Sequence, residues 1–154
     1  CNSSPIARVA ERPFVGNITQ LGMRNMGAQS LLDQVKKLGT TVVPCKQMHD
    51  RGAAACVDAF VPEPEFLYVT IDTGAFDWPI IPGTAVPGPG GLTLEQMREC
   101  MQVLVRKGNV IGFDIVCLNP MADSSFYGGI TVRLTSYAIA YFLGYIFDAR
   151  QEAG

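Results

Sequence analysis

One imidazole, five thiols and a few strand-end carboxylates are the groups in this 154-residue chain whose type and spacing could do chemistry. His49 is the only histidine, so a metal site would have to rest on carboxylates or on ligands from elsewhere. Cys1, Cys45, Cys56, Cys100 and Cys117 are odd in number and contain no Cys-x-x-Cys. Neither a zinc knuckle nor a disulfide framework is therefore expected, and reduced intracellular thiols are the default. Cys45 and His49 stand four apart, a spacing that on a helix would turn both toward one metal. Pro44 and the β-branched residues before it argue instead for a strand end and a loop, with His49 on the surface. Asp72 closes an apolar run and reads as a polar strand-end residue capping the next turn. Cys117 reads as a buried core thiol, because its neighbours are apolar and His49 is its only imidazole partner in the sequence.

The elements that must position these groups alternate. Residues 17–22 form a β-prone run, and 30–38 carry apolar residues at helical spacing between a Ser and Gly39. Residues 40–43 are β-branched throughout, and 66–71 (FLYVTI) read as a strand buried on both faces. Thr93 with Gln96 three residues on is a capping-box spacing, opening a helix to about Lys107 before Gly108. Residues 110–118 read as another buried strand, stopped by Asn119-Pro120. Residues 130–147 read as a long helix packed into a large core, with Tyr137, Tyr141 and Tyr145 sharing one face as core or subunit-interface packing. This order predicts an α/β fold with a mainly parallel sheet. The Pro/Gly-rich stretch 79–91 sits where such sheets place their sites, so it reads as a functional loop as readily as a connector.

Composition excludes several classes. Hydrophobic residues make up 48% and charged residues 17%, which is incompatible with bulk disorder. The net charge is −2 with no basic cluster, which argues against nucleic acid and anionic membrane surfaces. Apolar stretches are expected to be interrupted before the ~20 residues that span a bilayer. The chain opens at Cys1 with no signal-peptide layout, and is expected to be cytoplasmic and a fragment or processed piece.

Residues 71–93 read IDTGAFDWPIIPGTAVPGPGGLT. This segment resembles the ureohydrolase superfamily (arginase, agmatinase and related guanidino hydrolases). There a strand ends in Asp-x-Asp-x-x-Asp-Pro and runs into a Pro-Gly-Thr-Gly-Thr-Pro…Gly-Gly-Leu-Thr loop. Asn2-Ser3-Ser4-Pro5 falls where that family has His-Gly-x-Pro, and Leu21-Gly22-Met23-Arg24 resembles its Ile-Gly-Ile-Arg. Residues 113–120 (FDIVCLNP) resemble Leu-Asp-(Ile/Val)-x-Glu-x-Asn-Pro, followed by a helix opened by Thr131. The resemblance implies a three-layer α-β-α arginase-like fold, with residues 1–154 forming the C-terminal half of a single domain.

The activity so implied is hydrolysis of a guanidino carbon–nitrogen bond by a hydroxide bridging two Mn²⁺, sometimes Ni²⁺. The family's Gly-Gly-Asp-His and Asp-Ala-His-x-Asp ligand motifs are not in this sequence. Of the remaining Asp-x-Asp pair, Asp72 is kept as the candidate metal ligand and Gly74 is a lost ligand; Asp77 is kept as a supporting residue. The proton-shuttling His corresponds to Asn2, and the Glu that holds the substrate guanidinium corresponds to Cys117, which leaves no catalytic position intact. Backbone-shaping positions such as Gly83, Gly90, Gly91 and Pro120 are retained.

The sequence therefore predicts a non-catalytic ureohydrolase-like subunit that binds no metal itself and supports a competent paralogue. The nearest specific likeness is the metal-deficient subunit of a metformin hydrolase-like heteromer. Two alternatives stay open: an active binuclear hydrolase whose N-terminal half, with most ligands, lies elsewhere, and a structural or regulatory homo-oligomer. Partners implied are the paralogue or the missing half, in a trimer or hexamer. An open apolar strand edge is expected to make the isolated piece aggregate or stay molten.

Overall fold

The computed structural model describes residues 5–24, 33, 35, 37–123 and 129–152. Its elements are α1 (Pro5–Ala10), β1 (Thr19–Met23), β2 (Thr41–Pro44), α2 (Cys45–Arg51), α3 (Ala53–Phe60), β3 (Phe66–Asp72), α4 (Leu94–Lys107), β4 (Asn109–Val116) and α5 (Ile130–Glu152). Short 3₁₀ turns follow β3 at Thr73–Ala75 and β4 at Pro120–Ala122. The helix expected over 30–38 falls largely outside the described residues, although Asp33, Val35 and Lys37 are helical.

The described strands pair in parallel, as the alternation of strands and helices requires. Thr19 lies opposite Thr41 and Leu21 opposite Val43, joining β1 to β2. Phe66 lies opposite Asn109 and Asp72 opposite Val116, joining β3 to β4. These four strands form two separate two-stranded sheets.

α4 has the local signals that make a helix independent of its surroundings. Thr93 Oγ1 accepts from Gln96 N at 3.1 Å, while Gln96 Oε1 accepts from Thr93 N at 3.0 Å. Met97, Cys100, Met101 and Leu104 recur at helical spacing and are buried. They join Val43, Met48, Cys56, Val57, Ile71, Val110 and Phe142 in one core.

Four expectations are corrected. β3 and β4 are not buried on both faces: Leu67, Val69, Ile71, Phe113 and Ile115 face the core, whereas Phe66, Tyr68 and Ile111 are 57–60% exposed. The helices cover one face of this pair, so the pleat leaves Phe66 and Tyr68 bare, and Ile111 is the extra residue at a register shift opposite Leu67 and Tyr68. Residues 45–51 form a helix rather than a loop; Pro44 (φ −62°, ψ 148°) ends β2 and caps α2, since proline's fixed φ suits a helix start. α5 is only partly core. Thr131, Thr135, Ala138 and Phe142 are buried, whereas Leu143 and Phe147 are exposed. Finally, α5 is long and apolar enough to cross a membrane by length and composition, because Arg133 and Gly144 interrupt its apolar sequence without breaking the helix.

Two of the three tyrosines on α5 are engaged within the chain. Tyr141 and Tyr145 stack at 6.5 Å between ring centroids. The Arg98 guanidinium of α4 lies 4.5 Å over the Tyr141 ring, and its Nε donates to Tyr145 Oη at 3.0 Å. Tyr137 is 59% exposed.

Candidate functional site

The candidate residues gather where β3 and β4 end. Asp72 is the last residue of β3, and its Oδ1 accepts from Gly74 N at 2.7 Å, capping the 3₁₀ turn. The Thr73 hydroxyl, fully buried, donates to Val116 O at 3.1 Å. Thr84 Oγ1 lies 2.9 Å from Thr73 Oγ1 and 3.3 Å from Cys117 O. These bonds lock the turn after β3 onto the end of β4.

The Pro/Gly-rich loop is stitched to four elements. Asp77 N donates to Leu92 O at 3.0 Å and Leu92 N to Ala75 O at 2.9 Å, so the loop doubles back along the strand end. Asp77 Oδ1 accepts from Gly91 N at 3.1 Å, which uses that carboxylate to close the loop onto the start of α4. Asn119 N donates to Gly83 O at 2.8 Å, and Gly83 N donates to Thr131 Oγ1 at 2.8 Å, tying the loop to β4 and α5. Arg24, just after β1, donates to Gly74 O, Gly88 O and Pro89 O. Sequence reasoning misses that role: Arg24 reaches carbonyls 50 to 65 residues away, and no local pattern announces such a contact.

Cys117 departs from its expected place. It is exposed, lies beyond β4, and is the sole non-glycine residue with positive φ (65°) among the described residues. A left-handed cysteine stores roughly 1–2 kcal/mol of strain. Its thiol rests against Asp72; desolvation first, then the hydrogen bond to Asp72 and its charge, push it up to about 11. Cys117 and Asp72 thus occupy each other. Asn2 lies outside the described residues.

The sulfur–imidazole pair is well defined. On α2, Cys45 Sγ lies 3.4 Å from His49 Nε2 and donates to Gly90 O at 3.1 Å. The capping box holds Gln96 Oε1 on Thr93, so the Gln96 Nε2 donor faces His49 Nδ1 at 3.2 Å. Nδ1 is then the acceptor, and Nε2–H points to Gly90 O or to Cys45 Sγ. This tautomer cannot deprotonate the thiol, and burial raises the pKa of Cys45. The pair ties α2 to the loop and to α4.

The donor set does not fit a two-manganese centre. Among the described residues no group of three or more His, Cys, Asp or Glu is placed to hold a metal. Gly74 offers no ligand atom, and Asp72 and Asp77 spend a carboxylate oxygen each on backbone N–H groups. Cavities of about 400 Å³ between α3 and α4 and about 250 Å³ between α4 and the end of α5 do not include these residues.

Over residues 1–144 the sequence matches the Arginase family. The chain belongs to that family. It is 30% identical over 136 residues to the mitochondrial arginase of Medicago truncatula, covering 88% of this chain and 38% of that protein. It is 27% identical over 143 residues to the N(1)-aminopropylagmatine ureohydrolase of Thermus thermophilus, covering 88% and 44%. The crystal structure of formimidoylglutamase from Bacillus subtilis superposes with a TM-score of 0.85 at 22% identity, over 94% of this chain and 47% of that one. The α/β arginase-like fold is thereby shown, and the chain spans less than half the length of these relatives.

The Cys117–Asp72 pairing makes a chemical prediction. At pH 8 a thiol titrating near 11 is about one part in a thousand thiolate, so iodoacetamide should label Cys117 far more slowly than a free cysteine. Labelling should accelerate as the pH approaches 11, and Asp72→Asn should speed it severalfold at pH 8 by removing the charge while keeping an acceptor for Gly74 N. Peptide-resolved mass spectrometry reads the rates; free-cysteine reactivity at pH 8 would show that the two side chains do not meet.

Proposed function

We propose that this chain is a non-catalytic ureohydrolase-like subunit, corresponding to the C-terminal half of the arginase-family domain, that assembles with and supports a metal-competent partner. The observation that carries the reading is the state of Asp72, a carboxylate capping its own turn through Gly74 N and meeting the Cys117 thiol. A bridging metal needs two carboxylates converging at this strand end, and Gly74 stands where the second would be required, so Asp72 alone remains and caps the turn. The loop around it is closed by backbone hydrogen bonds that serve shape and make no demand on catalysis. The partner is a competent paralogue or a chain bearing the other half of the domain, in a trimer or hexamer.

The test is metal content. After incubation with Mn²⁺ or Ni²⁺ and exhaustive dialysis, elemental analysis of the purified chain should find far less than one metal per chain. Gly74→Asp should not change this, because the Gly-Gly-Asp-His and Asp-Ala-His-x-Asp ligand motifs are still absent from the sequence. About two retained metals per chain would overturn the proposal.

A further inference from the structure

We infer that His49 is a pH-sensitive latch: its neutral ring ties α2 to the capping box that starts α4, and protonation of that ring opens the box at the root of the Pro/Gly-rich loop. The inference uses neither a metal nor a partner chain, so it stands apart from the proposed function.

The latch is a chain of hydrogen bonds whose directions are fixed from one end. Thr93 N can only donate, and it meets Gln96 Oε1 at 3.0 Å; the Thr93 hydroxyl donates to the same oxygen at 3.3 Å. The Gln96 carboxamide is thereby set with its oxygen toward Thr93 and its NH₂ toward α2. That NH₂ lies 3.2 Å from His49 Nδ1, which must accept. Across the ring Nε2 carries the proton, 3.4 Å from both Gly90 O and Cys45 Sγ.

A protonated ring breaks this order. Both of its nitrogens are donors, so Nδ1–H faces the Gln96 NH₂. Turning the carboxamide over would satisfy the ring but set the NH₂ against Thr93 N, so one of the two bonds is lost whichever way the amide lies. The added charge acts in the same direction. Gln96 is the third residue of α4, and a cation beside the first turn of this 14-residue helix meets the positive end of its dipole. The charged ring keeps its Nε2–H for Gly90 O, so the latch opens on the α4 side.

Among the described residues no ion pair reaches the ring to offset that charge. Asp50 of α2 pairs with Lys46 at 2.7 Å, and Glu95 of α4 pairs with Arg98 at 3.0 Å. Glu99, one turn along α4, bears on the Cys100 thiol, and Asp77 of the loop accepts from Gly91 N at 3.1 Å. Arg51 lies 5.4 Å over the Phe60 ring, Arg24 holds loop carbonyls, and the Cys45 thiol donates to Gly90 O.

The box is continuous with the loop's anchor. Thr93 directly follows Leu92, whose N donates to Ala75 O at 2.9 Å and whose O accepts from Asp77 N at 3.0 Å. The stability carried by the latch belongs to the neutral ring. It is present at pH 8 and is lost as the pH falls through the ordinary imidazole range, about 6.5.

Residue-resolved hydrogen exchange on the full chain tests this, with each rate divided by that of an unstructured peptide at the same pH. The Thr93 and Gln96 amides, the two backbone donors of the box, should lose protection about fivefold between pH 8 and pH 5, the worth of roughly one hydrogen bond. His49→Asn places an amide oxygen that does not titrate near the position of Nδ1, and should hold the pH 8 protection at both pH values. Gln96→Glu should reverse the sign. Its carboxylate accepts from Thr93 N and from the charged ring alike, so protection should be higher at pH 5 than at pH 8. A flat wild-type profile, the same acid loss in His49→Asn, or an acid loss in Gln96→Glu would each overturn the latch. So would an equal fall at Met101 and Leu104, which would mean that acid loosens α4 as a whole.

Discussion

Gly91→Ala is expected to abolish the native fold or cost more than about 4 kcal/mol, a large share of the stability of a typical domain. A Cβ at Gly91 would sit 2.3 Å from the Phe76 carbonyl carbon and 2.4 Å from Asp77 N. These are backbone atoms held by Leu92 N to Ala75 O and Asp77 N to Leu92 O, so no side-chain rotation can relieve the overlap. The neighbouring glycine is the control. Gly90 has φ +76°, but a Cβ there would meet nothing within 4 Å, so Gly90→Ala should cost only the left-handed strain of about 1 kcal/mol. Urea midpoints and near-ultraviolet dichroism would separate the two. Equal, small losses in both variants would show that the loop does not clamp the strand end as described.

How much of this fold is legible in the sequence depends on how local each cause is. Helix α4 is readable to its ends, because Thr93, Gln96 and Gly108 act within one turn of the positions they define. The strands are readable as strands, since β-branched and aromatic runs suit a pleat wherever they sit. Their burial is not, because it depends on which faces other elements cover: FLYVTI looks the same whether one or both faces are packed. The start of α2 is hidden because Pro44 serves equally as the end of a strand and the start of a helix. α3 goes unannounced, since AAACVDAF carries no strong periodic stripe between Gly52 and Pro62.

At the candidate site the same division holds. A carboxylate at a strand end followed by a turn announces a cap, and Asp72 makes one. The left-handed backbone at Cys117 has no signal, because glycine or asparagine advertises positive φ and cysteine does not. The reach of Arg24 and the tautomer of His49 arise from contacts across 40 or more residues, which only the folded chain brings together.

Phe142→Ala should produce the largest loss of any side-chain truncation in α5, about 3–5 kcal/mol. Phe142 is fully buried and meets Phe113 of β4 edge-to-face, with centroids 5.0 Å apart and planes at 64°. The helix is also held by buried Ala138, Thr131 and Thr135, by Leu134, Tyr145 and Ile146 packed against the core, by Arg98, and by Arg150, which donates to Val110 O at 3.1 Å. Removing the ring leaves a cavity that the sheet cannot collapse into, because β4 is fixed by its ladder to β3. Hydrogen exchange should therefore rise along 130–152 before it rises in α4, whose capping box does not involve Phe142. Phe147→Ala is the counterpart. That residue is 62% exposed and its loss should change stability by less than about 0.5 kcal/mol in dilute protein. A Phe147→Ala cost that matches Phe142→Ala and grows with protein concentration would mean that the outer face of α5 is buried between copies, and Phe142 as the main anchor of α5 would have to be abandoned.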